Sequence, residues 1–480
     1  MSRCSKIRPQ NCSLNHLVGR GEHLHGAAEP YGVGWFTDCT ALACKLIFQS
    51  RRLQAAEVKA SAHVQQKTTI IIGAGIVGLC AGISLLRAYR KVTLLEMSEP
   101  GSGASFGNSG LISADTALPM AVPGMLRQVP GWLADPAGPV TVKPAYAPHA
   151  LPWLLRWAAA GRMHRVLASA QALRALHKDA FEGYRELLGA QLYGELIRAS
   201  GVVQLWETLQ ESRSDAVARE LRELHGVQYQ KLSADELQEM FPGISPVVTH
   251  GLLLTGNGYT VSPRRLTKAL AGIFVREGGD LRCERVLKIL PREGGHMSLI
   301  TNVGNHTAGA VVVAAGAWSK SLLAPLRIRL PLEAERGYHL LLADCELELK
   351  MPIMHRGRGF GFTPMEEGMC LAGTVEFAGV DAPPTEDRGL ILRRHGEKIF
   401  PKLNGRTTRV WMGPRPSLPD SVPAIGRVPF HPSLCLAVGH GHYGMVGAPA
   451  SARLLTDILE GRPPSVDPKP YALERFLGRT

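Results

Sequence analysis

Residues 73–78 read Gly-Ala-Gly-Ile-Val-Gly, and Glu96 follows 21 residues after Gly75. Glycines at this spacing can carry a pyrophosphate. Gly73 permits a tight turn, Gly75 lets the backbone approach the ligand, and Gly78 lets the next helix pack close to a sheet. A helix opening across Ala74, Ile76 and Val77 offers unpaired N–H groups to phosphates. Glu96 is then placed to accept hydrogen bonds from ribose hydroxyls. The chemistry so far is the capture of a dinucleotide.

That capture needs supports, and the flanks decide whether they exist, because a glycine turn before any helix imitates the motif. Residues 69–72 form an apolar strand run, 76–88 carry a helical pattern, and 92–95 form a second strand run ending at Glu96. Their agreement predicts a Rossmann-like βαβ unit and an α/β fold. Residues 101–110 are a loop by composition, and so many small residues point to close approach of backbone to a ligand. Residues 310–314 predict a buried strand that delivers Gly316 to the diphosphate side. Residues 434–438 predict another, followed by Gly439-His440-Gly441-His442-Tyr443-Gly444-Met445 and a helix over 448–459.

Between these units, seven prolines keep 117–150 largely irregular, while 151–224 carry Leu and Ala at helical spacing. Ser262-Pro263 caps a helix to about 276, and 281–289, 297–301 and 408–413 read as strands. Residues 338–404 alternate short strands with a helix. Trp132, Trp153 and Trp157 read as helix packing, with membrane contact as the alternative.

At 480 residues the chain can hold two or three domains with sizeable cores. The nearly uncharged run 68–86 approaches membrane-spanning length. Its four glycines mark a turn and close helix packing instead. The net charge of +13 comes from dispersed Lys and Arg with no basic stripe or RNA-binding aromatic motif, which argues against nucleic acid. It reads first as a basic solvated surface, and an anionic substrate or an anionic bilayer would also suit it. Nine cysteines show no C-x-x-C. Cys4, Cys12, Cys39 and Cys44 lie near His16, His23 and His25, yet their gaps fit no zinc-finger pattern, so no metal is expected. Residues 1–66 lack periodicity and a signal-peptide pattern. They are expected to be a disordered or adventitious extension translated from an upstream start.

The motifs fall in one order: the 73–78 fingerprint, Ala104-Ser105…Asn108-Ser109-Gly110, Ala315-Gly316-Ala317-Trp318, Arg336-Gly337-Tyr338, Gly413-Pro414-Arg415-Pro416…Asp420, and 439–444. In that order, over residues 68 to about 475, the chain resembles the D-amino-acid-oxidase-like FAD-dependent oxidoreductases. Within them it is most similar to bacterial D-amino-acid dehydrogenases of the small-subunit type and D-hydroxyproline dehydrogenases. The resemblance implies a Rossmann-like FAD-binding domain (67–116, 246–332 and 405–480) interleaved with a mixed-sheet α+β substrate domain (117–245 and 333–404).

It also implies roles. FAD is held by Gly73, Ala74, Gly75, Ile76, Val77 and Gly78, with the ribose on Glu96, the adenine at the Val286 backbone, and Gly316 near the diphosphate. Ala104 and Ser105 lie by the isoalloxazine. Gly441, Gly444 and Met445 bring N–H groups and a helix dipole to the pyrimidine oxygens. Arg415 matches the arginine that grips the substrate carboxylate, where a planar two-point grip favours Arg over Lys. A structural ion pair is the alternative. Tyr338 matches a substrate-holding tyrosine, although a buried tyrosine with a satisfied hydroxyl reads the same. His339, His440, His442 and Tyr443 are candidate pocket walls.

Two departures stand out. No cysteine occurs in 411–426, where the sarcosine-oxidase branch attaches its flavin, so non-covalent FAD is expected. Pro414 replaces the more common Leu before the arginine. The implied reaction is oxidative deamination of an amino acid, of the D series or D-hydroxyproline-like. A hydride passes from Cα to flavin N5, and the imine hydrolyses to an oxo acid. The implied partners are the amino acid and a quinone or electron-carrier acceptor, in the cytoplasm or peripheral at the inner membrane, with a partner subunit. The rival readings are a glycine or sarcosine-type secondary-amine oxidase, and a flavin-fold tRNA-modification or non-catalytic subunit.

Overall fold

The computed structural model describes residues 68–477. The expectations for residues 1–66, including the Cys and His cluster, lie outside the described residues. Among the described residues no group of His, Cys, Asp and Glu could hold a metal ion, and no helix is long and apolar enough to cross a membrane.

Ile70, Ile71 and Ile72 are all buried, as a strand covered on both faces must be. Their strand, Thr68–Ile72, sits inside a six-stranded sheet of order 280–283, 91–96, 68–72, 310–313, 431–438, 424–428. Neighbours are parallel except Ala424–Val428, which runs antiparallel to His431–Val438. One face is covered by helices Ile76–Arg87, Pro263–Arg276 and Gly444–Glu460, with Ile71, Leu79, Ile83, Phe274 and Leu455 in their shared core. The other carries Val311, Val313 and Leu436 against a small antiparallel sheet of Val286–Pro291, Met297–Thr301 and Asn305–Ala308.

The second layer is a nine-stranded mixed sheet. Near one edge lies Glu333–Ala343, antiparallel to Gly368–Phe377 on one side and to the edge strand Arg406–Ser417 on the other. Helix Glu386–Ile399 covers one face, where Leu340, Leu342, Phe360, Phe362 and Leu392 form a core. The α/β class with an interleaved mixed sheet is the one expected.

Some elements differ in detail. The stretch 151–224 breaks into helices Ala147–Ala160, Met163–His177, Ala180–Leu196 and Arg213–Leu224, with strand Val202–Trp206 among them. That strand is buried between Ile353–His355 and His250–Leu254, partners far away in sequence. The run 281–289 is two strands in different sheets, Asp280–Cys283 and Val286–Pro291. The last helix opens at Gly444 rather than 448, because Gly444, Gly447 and Pro449 disguise its first turns. Arg406–Ser417, grouped by sequence with the cofactor-binding segments, pairs along its length with Glu333–Ala343. The chain rejoins the six-stranded sheet at Ala424.

Candidate active site

The glycine turn is built by contact as well as by dihedral angle. Gly73 has φ of +104°, and a Cβ there would lie 2.5 Å from the Ala314 carbonyl oxygen. A Cβ on Gly78 would lie 1.9 Å from the Gly73 oxygen, so neither position tolerates a side chain. The 101–110 loop folds back over the turn: Gly101 N–H donates to Ala74 O at 2.9 Å, and Ile76 N–H to Ser105 Oγ at 3.0 Å. Glu96 ends its strand with Oε2 accepting from Ala74 N at 2.7 Å and Oε1 from Met97 N at 2.9 Å. Burial raises its carboxyl, and these amide bonds pull it back. Among the described residues nothing accepts from the amides of Val77 and Gly78. The turn therefore presents donors of the kind a diphosphate takes.

Of the other expected cofactor contacts, Ser105 and the strand end before Gly316 lie against this turn. Ala314 and Ala315 abut Gly73, which brings Gly316, at φ +55°, to its side. Glu284 N–H donates to Glu96 O at 2.8 Å and starts the path to Val286, which is buried in the small sheet. Ala104 lies in the loop beside Ser105. Helix Gly444–Glu460 packs along Ile76–Arg87. Its entry is a 3-10 turn, Gly441–Tyr443, with Gly441 at φ +50°, and Met445 O accepts from Tyr184 OH at 2.5 Å.

Strand parity decides which side chains share the candidate substrate face. Glu335, Gly337 and His339 alternate with Arg336 and Tyr338. In register, Glu335 lies opposite Arg415, Gly337 opposite Gly413, and His339 opposite Trp411. A Cβ on Gly337 would fall 2.0 Å from Arg415 Cζ, so the guanidinium lies flat across that glycine. Arg415 Nη1 donates to Thr374 O at 3.0 Å. Thr374 sits in a bulge with φ of +57°, and this opens the ladder between Arg336 and Tyr338. Desolvation lowers the Arg415 pKa and Glu335 opposes the shift.

His442 meets this face from the helix-entry turn, with Nδ1 3.4 Å from Glu335 Oε2. Ser417 Oγ donates to the same oxygen at 2.5 Å, and Ser417 bridges to His440 through the backbone. Burial pulls His442 well below its ordinary pKa, and the Arg415 charge adds to that. Tyr443 donates to Leu118 O at 2.7 Å, which ties the turn to the irregular 117–150 segment. His440 is turned inward onto Ser451 Oγ at 2.9 Å. His339 stacks on Trp411 and contacts Gly107 O through Nδ1 at 3.2 Å, with Nε2 buried and unpartnered.

Tyr338 does not join them. Odd and even positions face opposite ways, and its ring belongs to the core under helix Glu386–Ile399. Its hydroxyl donates to Glu376 Oε2 at 2.6 Å and accepts from Thr385 N at 3.0 Å. The expected substrate tyrosine is thus a buried tyrosine with a satisfied hydroxyl. The residues that sequence reading passed over are Glu335, Gly337, Thr374 and Ser417. One signal was present: Glu335 stands two residues before Gly337, at the parity of the site.

Comparison with known proteins adds to this geometry. Residues 68–458 match the family model described as DAO, FAD dependent oxidoreductase. A D-amino-acid oxidase of Bradyrhizobium diazoefficiens is 36% identical over 414 residues, covering 85% of this chain and 98% of that protein. A D-amino acid dehydrogenase of Cereibacter sphaeroides is 30% identical over 426 residues, covering 85% and 95%. Of solved structures, L-proline dehydrogenase from P. horikoshii aligns with a TM-score of 0.65 at 20% identity, covering 86% and 98%. Glycine oxidase from Geobacillus kaustophilus aligns at 0.64 and 23%, covering 85% and 99%. These last two speak for the fold. The matched span contains the glycine turn, Arg415 and the entry to the last helix, and the chain belongs to the DAO family of FAD-dependent oxidoreductases.

Proposed function

We propose that the protein oxidatively deaminates D-amino acids, with Arg415 as the carboxylate clamp. The observation that carries this reading is the guanidinium laid over Gly337, one strand face away from the turn that opens the last helix. Glycine at 337 leaves room for a planar group, and the Thr374 carbonyl fixes one of its nitrogens while the rest can meet a carboxylate. FAD, held non-covalently at the Gly73–Gly78 turn and Glu96, supplies the two-electron acceptor when bound. The six-stranded sheet and its helices serve as the cofactor domain, and the nine-stranded sheet covers the substrate. Arg415 orients Cα, and the Gly441–Met445 turn supports negative charge on its pyrimidine side.

A quinone or carrier protein as electron acceptor fits a peripheral membrane habit. Leu126, Leu133, Leu151 and Leu155 are each more than half exposed. Residues 126–165 carry exposed Arg127, Lys143, Arg156, Arg162 and Arg165 against a single acid, Asp135. Apolar residues amid positive charge suit an anionic bilayer surface, which co-sedimentation with anionic vesicles tests.

Anaerobic flavin bleaching across D-amino acids, hydroxyproline isomers, glycine and sarcosine tests the reaction. Bleaching by D-amino acids is expected. Bleaching confined to glycine and sarcosine would make the protein a secondary-amine oxidase. Prompt peroxide formation in air would mark an oxidase rather than a dehydrogenase.

A further inference from the structure

An amino acid arrives as a zwitterion, and its ammonium must lose a proton before Cα can release a hydride. The nitrogen lone pair stabilises the iminium carbon that forms, and an ammonium has none to give. The proton acceptor has to stand close to the carboxylate clamp, because carboxylate and nitrogen share one carbon.

Glu335 meets that requirement by position. It lies directly across the strand pair from Arg415, on the same sheet face. It lines a cavity with His442, Tyr443, Trp153 and Trp157, although it is only 6% exposed. Ser417 Oγ and His442 Nδ1 both address Oε2, while Oε1 makes no hydrogen bond among the described residues. One oxygen is therefore anchored and the other is free to receive a proton.

We propose that Glu335 accepts the ammonium proton of the bound amino acid, with His442 beside it to pass that proton on. The inference rests on the amino-acid reading of the site. In the step an N–H bond breaks, an O–H bond forms on Glu335, and the electron pair stays on nitrogen. No electrons are transferred until the neutral amine has formed. The charged and titratable groups around Glu335 are Arg415 on the adjacent strand, Glu333 two residues away, and His442 and Tyr443 from the helix-entry turn. Tyr146 and Lys320 engage Glu333. Burial and Glu333 favour the protonated carboxyl, while Ser417 and Arg415 favour the anion, a balance that suits a group asked to take up and release a proton.

Glu335→Gln keeps the shape and removes the base. Anaerobic flavin reduction by the preferred D-amino acid should be followed from about pH 6 to pH 10, a span that brackets the titration of an α-amino group. Loss of a general base costs roughly 10²- to 10⁴-fold at neutral pH. The variant's rate should then climb about tenfold per pH unit below the amine's own pKa, as free amine replaces ammonium, and level off above it. Glu335→Asp should recover part of the rate. Binding of the matching oxo acid, read from the flavin spectrum, should change little because Arg415 is intact. A wild-type pH profile in Glu335→Gln overturns the proposal. So does a parallel loss of oxo-acid binding, which would make Glu335 a positioning residue for Arg415. If no amino acid reduces the wild-type flavin, the amino-acid reading itself fails, before any variant is compared.

Discussion

Arg415 and Tyr338 make opposite predictions although their strands are neighbours. Thr374 O takes one guanidinium N–H of the five available, leaving an edge for a carboxylate. Arg415→Ala should weaken amino-acid binding by about 2–5 kcal/mol, roughly 30- to several-thousand-fold. Arg415→Lys should recover part of that, since it keeps charge without the two-point grip. FAD content should survive both changes, and substrate titration of flavin reduction is the measurement. Tyr338→Phe should act on folding instead. It strips a hydrogen bond from the buried Glu376 carboxylate and an acceptor from Thr385 N, a loss of about 1–3 kcal/mol. Thermal unfolding should shift down while flavin reduction keeps its rate.

At the scale of the element, the strand Glu333–Ala343 is the working part. Gly337→Ala would set a Cβ 2.0 Å from Arg415 Cζ, so the guanidinium must leave its seat. Substrate affinity should fall with FAD retained, and the variant should resemble Arg415→Lys more than Arg415→Ala because the charge persists. Parity along this strand also shows what a sequence can and cannot disclose. The glycine turn, Glu96 and the first helix were legible because the motif is local, with all of its signalling residues falling between 69 and 96. Arg415 was legible through its motif, but its seat was not, because Gly337, Thr374 and Glu335 meet it only through strand pairing. Tyr338 misled for the same reason: a motif names a residue without saying which face of the sheet it takes. Val202–Trp206 hid among helices because its partners lie about 50 and 150 residues away, beyond any periodicity window.

The whole molecule carries a pH dependence. Desolvation pulls His177 down to about 3 and His339 and His440 to about 4. Unfolded histidines titrate near 6.5, so between these values the unfolded chain binds more protons. Stability should be complete above about pH 6.5 and fall toward pH 4, by at most about 1.4 kcal/mol per pH unit for each histidine. Glu96 and Glu335, with raised values, act in the opposite sense and lessen the slope. Thermal unfolding at two pH values checks the sign. Acid precipitation should release the yellow cofactor into the supernatant, because 411–426 offers no cysteine for attachment. The alternation of the chain between its two sheets also has a bearing on its birth. Ala310–Val313 waits for His431–Val438 to complete the middle of the six-stranded sheet, and Ile76–Arg87 waits for Gly444–Glu460. A ribosome that has made the glycine turn has made half a cradle, and nearly four hundred more residues must emerge before the other half exists. Flavin loading is thus an event of the finished chain, and a chain stopped before residue 444 should neither hold FAD nor resist proteolysis.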